Sequence, residues 1–125
     1  MKFTTSVIPG QGRGKTLGFP TFNLQIPQDF SAKQGIYAGW VWINNQKYIG
    51  AFHSGPIPVF AQPQARLEVF VLDYDNPDPI STLSFELIHY LRPVKNFASP
   101  QALARQISRD VAQVRAALRS QTKLA

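Results

Sequence analysis

The residues best suited to chemistry lie near the amino terminus, in the stretch GQGRGKTLGFPTFN at positions 10–23. Glycines such as Gly10 and Gly12 let a backbone approach a ligand closely, because they carry no Cβ atom. Successive amides in such a loop can form a concave anion site, and Arg13 and Lys15 add positive charge beside it. The stretch therefore predicts a phosphate-binding loop, with an ordinary surface turn as the alternative.

The end of this stretch carries oxygen ligands. Pro20 fixes φ and stiffens the chain, and an extended continuation places Thr21 and Asn23 on one face and Phe22 on the other. A hydroxyl and an amide oxygen are hard ligands that suit Mg²⁺ held jointly with phosphates. The common nucleotide motifs do not match, since Pro9 stands where a P-loop needs glycine and no strand-then-helix context surrounds the loop. Spacing alone leaves the nucleotide hypothesis open.

A second candidate is Glu68, which stands among apolar residues in the segment RLEVFVLDY. Such a carboxylate is either a solvated strand residue or, if a cleft buries it, a base with a raised pKa that can take a proton from an alcohol. The two histidines, His53 and His89, have no metal-ligand spacing. The acidic residues at 73–78 are typical of a solvated turn rather than of a cation site.

Hydrophobic periodicity indicates the elements that must position these residues. Alternation and β-favouring residues predict strands at 1–8, 19–26, 35–43, 47–52, 66–74 and 81–91. Residues 44–46 predict a hairpin turn, and the proline-rich segment 53–64 predicts an irregular loop or an edge. Ser99 and Pro100 predict a helix start, and one apolar stripe follows at Leu103, Ile107, Val111, Val114 and Leu118. Strands followed by one helix predict an antiparallel barrel or sandwich with a packed C-terminal helix.

Composition sets the broad class. The chain has 125 residues, of which 44% are hydrophobic, and it includes ten prolines and eight glycines; we interpret residues 1–125 as one strand-rich domain. The absence of cysteine excludes disulfides and thiolate metal sites. No signal-peptide or membrane-span pattern is present, which predicts a cytoplasmic protein without a membrane partner. The net charge is +6, but neither an aromatic-basic RNA signature nor a helix-turn-helix pattern accompanies it. We therefore expect no nucleic-acid partner, and we expect a monomer.

The pattern GxGRGxxLGFPTxN resembles the signature of the riboflavin kinases of bacteria and eukaryotes, also called flavokinases. The segments QGIYAGW at 34–40, LE at 67–68 and YLRPVKNF at 90–97 follow in that family's order, so the resemblance runs from about Val7 to Leu118. It implies a mainly β fold, a six-stranded antiparallel Greek-key barrel with a packed C-terminal helix. It also implies transfer of a phosphoryl group from ATP to the ribityl 5′-hydroxyl of riboflavin, which gives FMN and ADP, with small molecules as the partners.

The resemblance implies a role for each candidate residue. Glu68 takes the position of the catalytic base. The positions that hold the nucleotide correspond here to Gly10, Gly12, Lys15, Thr21 and Asn23. Of these, Thr21 and Asn23 also correspond to ligands of Mg²⁺ or another divalent cation. The loop that closes over the flavin corresponds to Arg92, Lys95 and Phe97, where the two cations suit the product phosphate and the ring of Phe97 suits the flavin.

The chain also departs from the family pattern. Val69 and Phe70 stand where Thr and His usually follow the glutamate, and residues 52–58, 76–79 and Val94 differ as well. These changes surround the base and the flavin loop, so the alternative function is a non-catalytic flavin- or nucleotide-binding module. Bacterial relatives often carry an N-terminal adenylyltransferase domain, to which nothing here corresponds. The short distance from Met1 to the first strand favours a self-standing kinase over a fragment of a bifunctional FAD synthetase.

Overall fold

A computed structural model of the chain describes residues 1–8, 18–55, 66–76 and 78–119, and the backbone of 120–124. Its elements are β1 (Phe3–Ile8), β2 (Phe22–Leu24), β3 (Gly35–Ile43), β4 (Gln46–Gly55), β5 (Arg66–Val71), β6 (Thr82–Arg92) and the helix α1 (Pro100–Leu124). The strands close into an antiparallel barrel in the order β1-β2-β5-β4-β3-β6. Strands β3, β4 and β5 form a meander and β6 returns beside β3, which is a Greek key. The predicted mainly β barrel with a C-terminal helix is confirmed.

Strand boundaries differ from the prediction at three places. The prediction that residues 53–55 are irregular is wrong, because they continue β4 and pair with both β3 and β5; the prolines that disfavour a ladder begin only at Pro56. Strand β5 is shorter than the predicted 66–74, since the chain turns at Asp73, where φ is +59°. Strand β2 is shorter than the predicted 19–26, and Pro20 and Pro27, which have no N–H to donate, flank it.

Side-chain alternation on β5 shows how the core forms. Leu67, Val69 and Val71 are at most 4% exposed and point into the barrel, so Glu68 and Phe70 take the outer face. The inner cluster comprises Leu24, Tyr37, Val41, Ile43, Phe52, Leu67, Val69, Val71, Leu83 and Phe85. This packing is tight enough that some positions admit only glycine.

Gly39 on β3 is one of those positions. A Cβ atom there would overlap the Glu86 carbonyl oxygen and would lie 2.8 Å from a ring carbon of Phe52. At the far end of the same strand, Asn44 and Asn45 have φ values of +51° and +68° and form the two-residue turn to β4. Both angles suit the primed turns that match strand twist, so the predicted hairpin is confirmed.

Helix α1 begins where the sequence predicts. The Ala102 N–H donates to Ser99 Oγ at 3.1 Å, which is an N-cap contact, and Pro100 is the first helical residue. Among the described residues, no helix combines the length and the apolar character that crossing a bilayer requires.

The helix docks on the outer face of the barrel mainly through its carboxyl half. Val114 and Leu118 are fully buried and share an outer cluster with Leu72. Leu103 and Ile107 belong to the same predicted stripe but are only half-buried. The inner face of the sheet therefore forms the apolar core, and the outer face is partly covered by α1.

Candidate active site

Glu68 lies in a row of paired positions that crosses the outside of the barrel. Its Cα partner on β2 is Asn23, and its Cα partner on β4 is His53. The pairing continues to β3, β6 and β1, and we call the whole set the Glu68 row: Ile8, Asn23, Glu68, His53, Ile36 and Arg92. Directly paired residues of antiparallel strands place their side chains on the same face, about 5 Å apart. The row therefore gathers polar side chains that are remote in the sequence.

The pairing of Asn23 with Glu68 joins two predicted roles. Asn23 is a predicted metal and phosphate ligand, and Glu68 is the predicted base. Thr21 lies two residues before Asn23, just outside β2, and is half-buried. The structure thus brings two of the predicted site residues into adjacent positions and places a third beside them in the chain.

Glu68 is half-buried although it points away from the core. Burial raises the pKa of its carboxyl group, while the nearby positive charge of Arg66 opposes the shift to a smaller extent. Part of the cover over this face is aromatic, because the rings of Phe19 and Phe70 pack edge to face with centroids 5.5 Å apart. A carboxyl group with a raised pKa is better suited to accept a proton than a fully solvated one.

His53 is a residue that the sequence analysis did not assign to the site. It lies directly across from Glu68, and both of its ring nitrogens are shielded from solvent. The sequence prediction placed it in an irregular segment, where it has no defined neighbours. The signal that could have found it is the alternation of Ala51, Phe52 and His53, which extends β4 towards the prolines.

Arg92, at the β6 position of the Glu68 row, forms an ion pair with Asp110 of helix α1. Its Nε donates to Asp110 Oδ1 at 2.9 Å and its Nη2 donates to Asp110 Oδ2 at 2.6 Å. Lys95 and Phe97 follow in the next loop, where Lys95 is exposed and Phe97 is half-buried. The ion pair with Asp110 gives the Arg92 side chain a partner within the protein. The assignment of Arg92, Lys95 and Phe97 to flavin binding stays a prediction.

The predicted phosphate-loop residues Gly10, Gly12 and Lys15 lie outside the described residues. The segment that carries them follows Ile8, whose Cα partner is Asn23, so the chain enters it beside the Glu68 row. Within the described ranges, no three histidine or acidic side chains gather closely enough to hold a metal ion.

Comparison with known families gives one strong match. A family model described as "Flavokinase: Riboflavin kinase" covers residues 1–118. A bifunctional riboflavin kinase/FMN adenylyltransferase from Listeria monocytogenes is 30% identical over 113 residues, which are 89% of this chain and 36% of that protein. An "RNA-binding riboflavin kinase RibR" from Bacillus subtilis is 26% identical over 107 residues, which are 85% of this chain and 46% of that protein.

A solved structure agrees with the fold. It is described as a macrolide-efflux protein from Streptococcus pneumoniae, is 28% identical in sequence, and matches with a TM-score of 0.79 over 91% of this chain and 38% of that one. The chain thus spans between about a third and a half of the length of these proteins.

The expectation of no nucleic-acid partner stays a prediction.

Proposed function

Because the chain belongs to the riboflavin kinase family, we propose that it transfers the γ-phosphoryl group of ATP to the ribityl 5′-hydroxyl of riboflavin. The observation that carries this proposal is the pairing of Asn23 with Glu68 on neighbouring strands. Phosphoryl transfer asks little covalent chemistry of a protein. It needs positioned substrates, neutralised phosphate charge and a group that receives the hydroxyl proton.

Glu68 is the proposed base. Its carboxylate accepts the proton of the 5′-hydroxyl as a bond forms between the hydroxyl oxygen and the γ-phosphorus. The bond from that phosphorus to the bridging oxygen breaks at the same time, and ADP leaves with the electron pair. Burial of Glu68 supports this role, because it raises the pKa of the carboxyl group towards the working pH.

One residue just before β2 and one within it fit a divalent cation. Thr21 and Asn23 offer a hydroxyl and an amide oxygen, which are the hard ligands that Mg²⁺ shares with phosphate oxygens. When bound, the ion neutralises phosphate charge. The pairing of Asn23 with Glu68 supports this assignment, and the predicted phosphate loop of Gly10, Gly12 and Lys15 would add further contacts to the nucleotide.

Purified protein incubated with riboflavin and Mg-ATP tests the proposal, with FMN measured by chromatography and fluorescence. The parent protein is expected to form FMN, and Glu68→Gln is expected to lose most of that activity. Glu86→Gln is the matched control, because Glu86 is also an outer-face carboxylate but pairs with the chain's amino terminus at 3.2 Å. A folded parent protein that forms no FMN contradicts the proposed reaction.

A second candidate function is a non-catalytic flavin- or nucleotide-binding module. The observation that favours it concerns the two residues after Glu68. Val69 is fully buried in the barrel and Phe70 packs in the outer apolar cluster. Neither side chain can hydrogen-bond to the base, because both are hydrocarbon. This candidate predicts riboflavin or nucleotide affinity without phosphoryl transfer, which equilibrium binding and the FMN assay separate.

A further inference from the structure

A buried ion pair fastens helix α1 to the end of β6. The Arg92 and Asp110 side chains are only 13% and 6% exposed, and they form two hydrogen bonds. Gln106, one helical turn before Asp110, adds a third contact through Nε2, which donates to Asp110 Oδ1 at 3.0 Å. Buried ion pairs of this kind often add no more stability than apolar residues of similar size. Their clearer effect here is to fix one geometry between a strand end and a helix.

The ion pair also holds the loop of residues 93–98, which connects β6 to α1. Arg92 Nη1 donates to the Pro93 carbonyl at 2.9 Å, so the same guanidinium holds the first residue of the loop. The loop ends at Ser99, whose hydroxyl caps α1. Val94 lies close to the end of β4, because a Cβ atom built on Gly55 would be 3.3 Å from Val94 Cγ2. Both ends of the loop are therefore tied to α1, and its start packs against the strand that carries His53.

We propose that Asp110 is a positioning residue for the loop of residues 93–98, and that Arg92 acts through Asp110 rather than as a ligand of the flavin phosphate. This inference rests on the proposed function, since the loop carries the predicted flavin residues Lys95 and Phe97. It gives Arg92 a role different from the one that the sequence resemblance implies. It also adds Asp110, which no sequence pattern singled out.

Two observations separate positioning from direct binding. Three nitrogens of the Arg92 guanidinium already donate to protein oxygens, and little of the side chain is exposed to a ligand. A direct ligand role would make Asp110 a competitor of the substrate, so that removing its charge would free Arg92. A positioning role makes the opposite prediction, because losing Asp110 releases the loop.

The experiment compares Asp110→Asn, Arg92→Lys and the double variant by steady-state kinetics. Asp110→Asn is expected to lower kcat/KM for riboflavin roughly 10- to 100-fold, the size that small misplacements produce. The loss is expected through a raised KM for riboflavin, with the KM for ATP changed less than about twofold. The riboflavin KM of the double variant is expected to equal that of the more affected single variant, because both substitutions break the same contact. Arg115→Gln is the matched control, since it removes another α1-to-barrel ion pair, with Asp73, that does not touch the loop.

Hydrogen–deuterium exchange of the backbone amides of residues 94–98, measured without substrates, gives a readout that does not depend on activity. Exchange is expected to be faster in Asp110→Asn and unchanged in Arg115→Gln. If Asp110→Asn does not fold, the paired replacement Arg92→Met with Asp110→Leu fills the site with apolar groups and decides the question by the same measurements.

Three results overturn the inference: an unchanged riboflavin KM, equal losses for riboflavin and ATP, or unchanged loop exchange. If the parent protein is active, none of these three results contradicts the proposed function. A parent protein without turnover refutes the function instead, and the exchange data alone then test the loop.

Discussion

Replacing Glu68 with Gln should remove most of the turnover and stabilise the protein at neutral pH. Gln keeps the size of the side chain and one acceptor oxygen but cannot take a proton. Loss of a general base lowers turnover by roughly 10²–10⁴-fold. The stability gain follows from burial, because removing a desolvated carboxylate relieves the cost that raises the pKa of Glu68.

The folded-state pKa of Glu68 lies above its unfolded value, so between the two pKa values the native protein holds a proton that the unfolded chain has released. Stability of the parent protein therefore falls as pH rises through this window and levels off above the folded-state pKa. Each unit of difference corresponds to about 1.4 kcal/mol, or about 5 °C in Tm for a domain of this length.

The assay is a pair of measurements on parent and Glu68→Gln. Thermal unfolding between pH 3.5 and pH 8 should give nearly equal Tm values at the acid end and a higher Tm for the variant at the neutral end. FMN formation at pH 7.5 should be almost lost, while Mg-ADP affinity should hardly change. A variant that turns over at the parent rate, or one that is less stable at pH 7.5 than the parent, refutes this account of Glu68.

Three further predictions concern the proposed metal site, the helix and the barrel wall. Thr21→Ala should weaken Mg-ADP binding, measured by calorimetry, without changing Tm; unaltered affinity would leave Thr21 as a turn residue only. Leu118→Ala should reduce the free energy of unfolding by roughly 2–5 kcal/mol and the half-buried Leu103→Ala by less, in urea titrations; equal losses would contradict the docking through the carboxyl half of α1. Gly39→Ala should destabilise by more than about 1 kcal/mol, well beyond a surface change, because its Cβ would overlap the Glu86 carbonyl; a neutral result in the same titrations would show that the strand can shift.

Local patterns were sufficient to predict most of the fold. Alternation on β5 correctly placed Leu67, Val69 and Val71 opposite Glu68, because a side-chain period of two fixes the faces once a strand is recognised. Ser99 and Pro100 predicted the start of α1, because helix capping depends on residues within a single turn. Closure of the six strands could not be read from alternation alone, which left both a barrel and a sandwich open.

The candidate site was less predictable because it depends on register between distant strands. No local pattern states that Asn23 lies beside Glu68, or that His53 lies on the other side. The partner of Arg92 was missed for a similar reason, because Asp110 sits in a helix whose docking angle no periodicity encodes. The roles of Thr21, Lys95 and Phe97 stay predictions, since each depends on a ligand.

The Glu68 row takes one position from each of the six strands, which has a consequence for folding kinetics. The hairpin of β3 and β4 joins neighbours in sequence and can form within microseconds, but β1 must find β6 across most of the chain. Long-range pairings of this kind are slow, because loop-closure entropy is lost before the contacts form. Recovery of ligand binding during refolding should therefore lag behind the appearance of strand structure, and a chain that is only half closed should bind nothing rather than bind half as well.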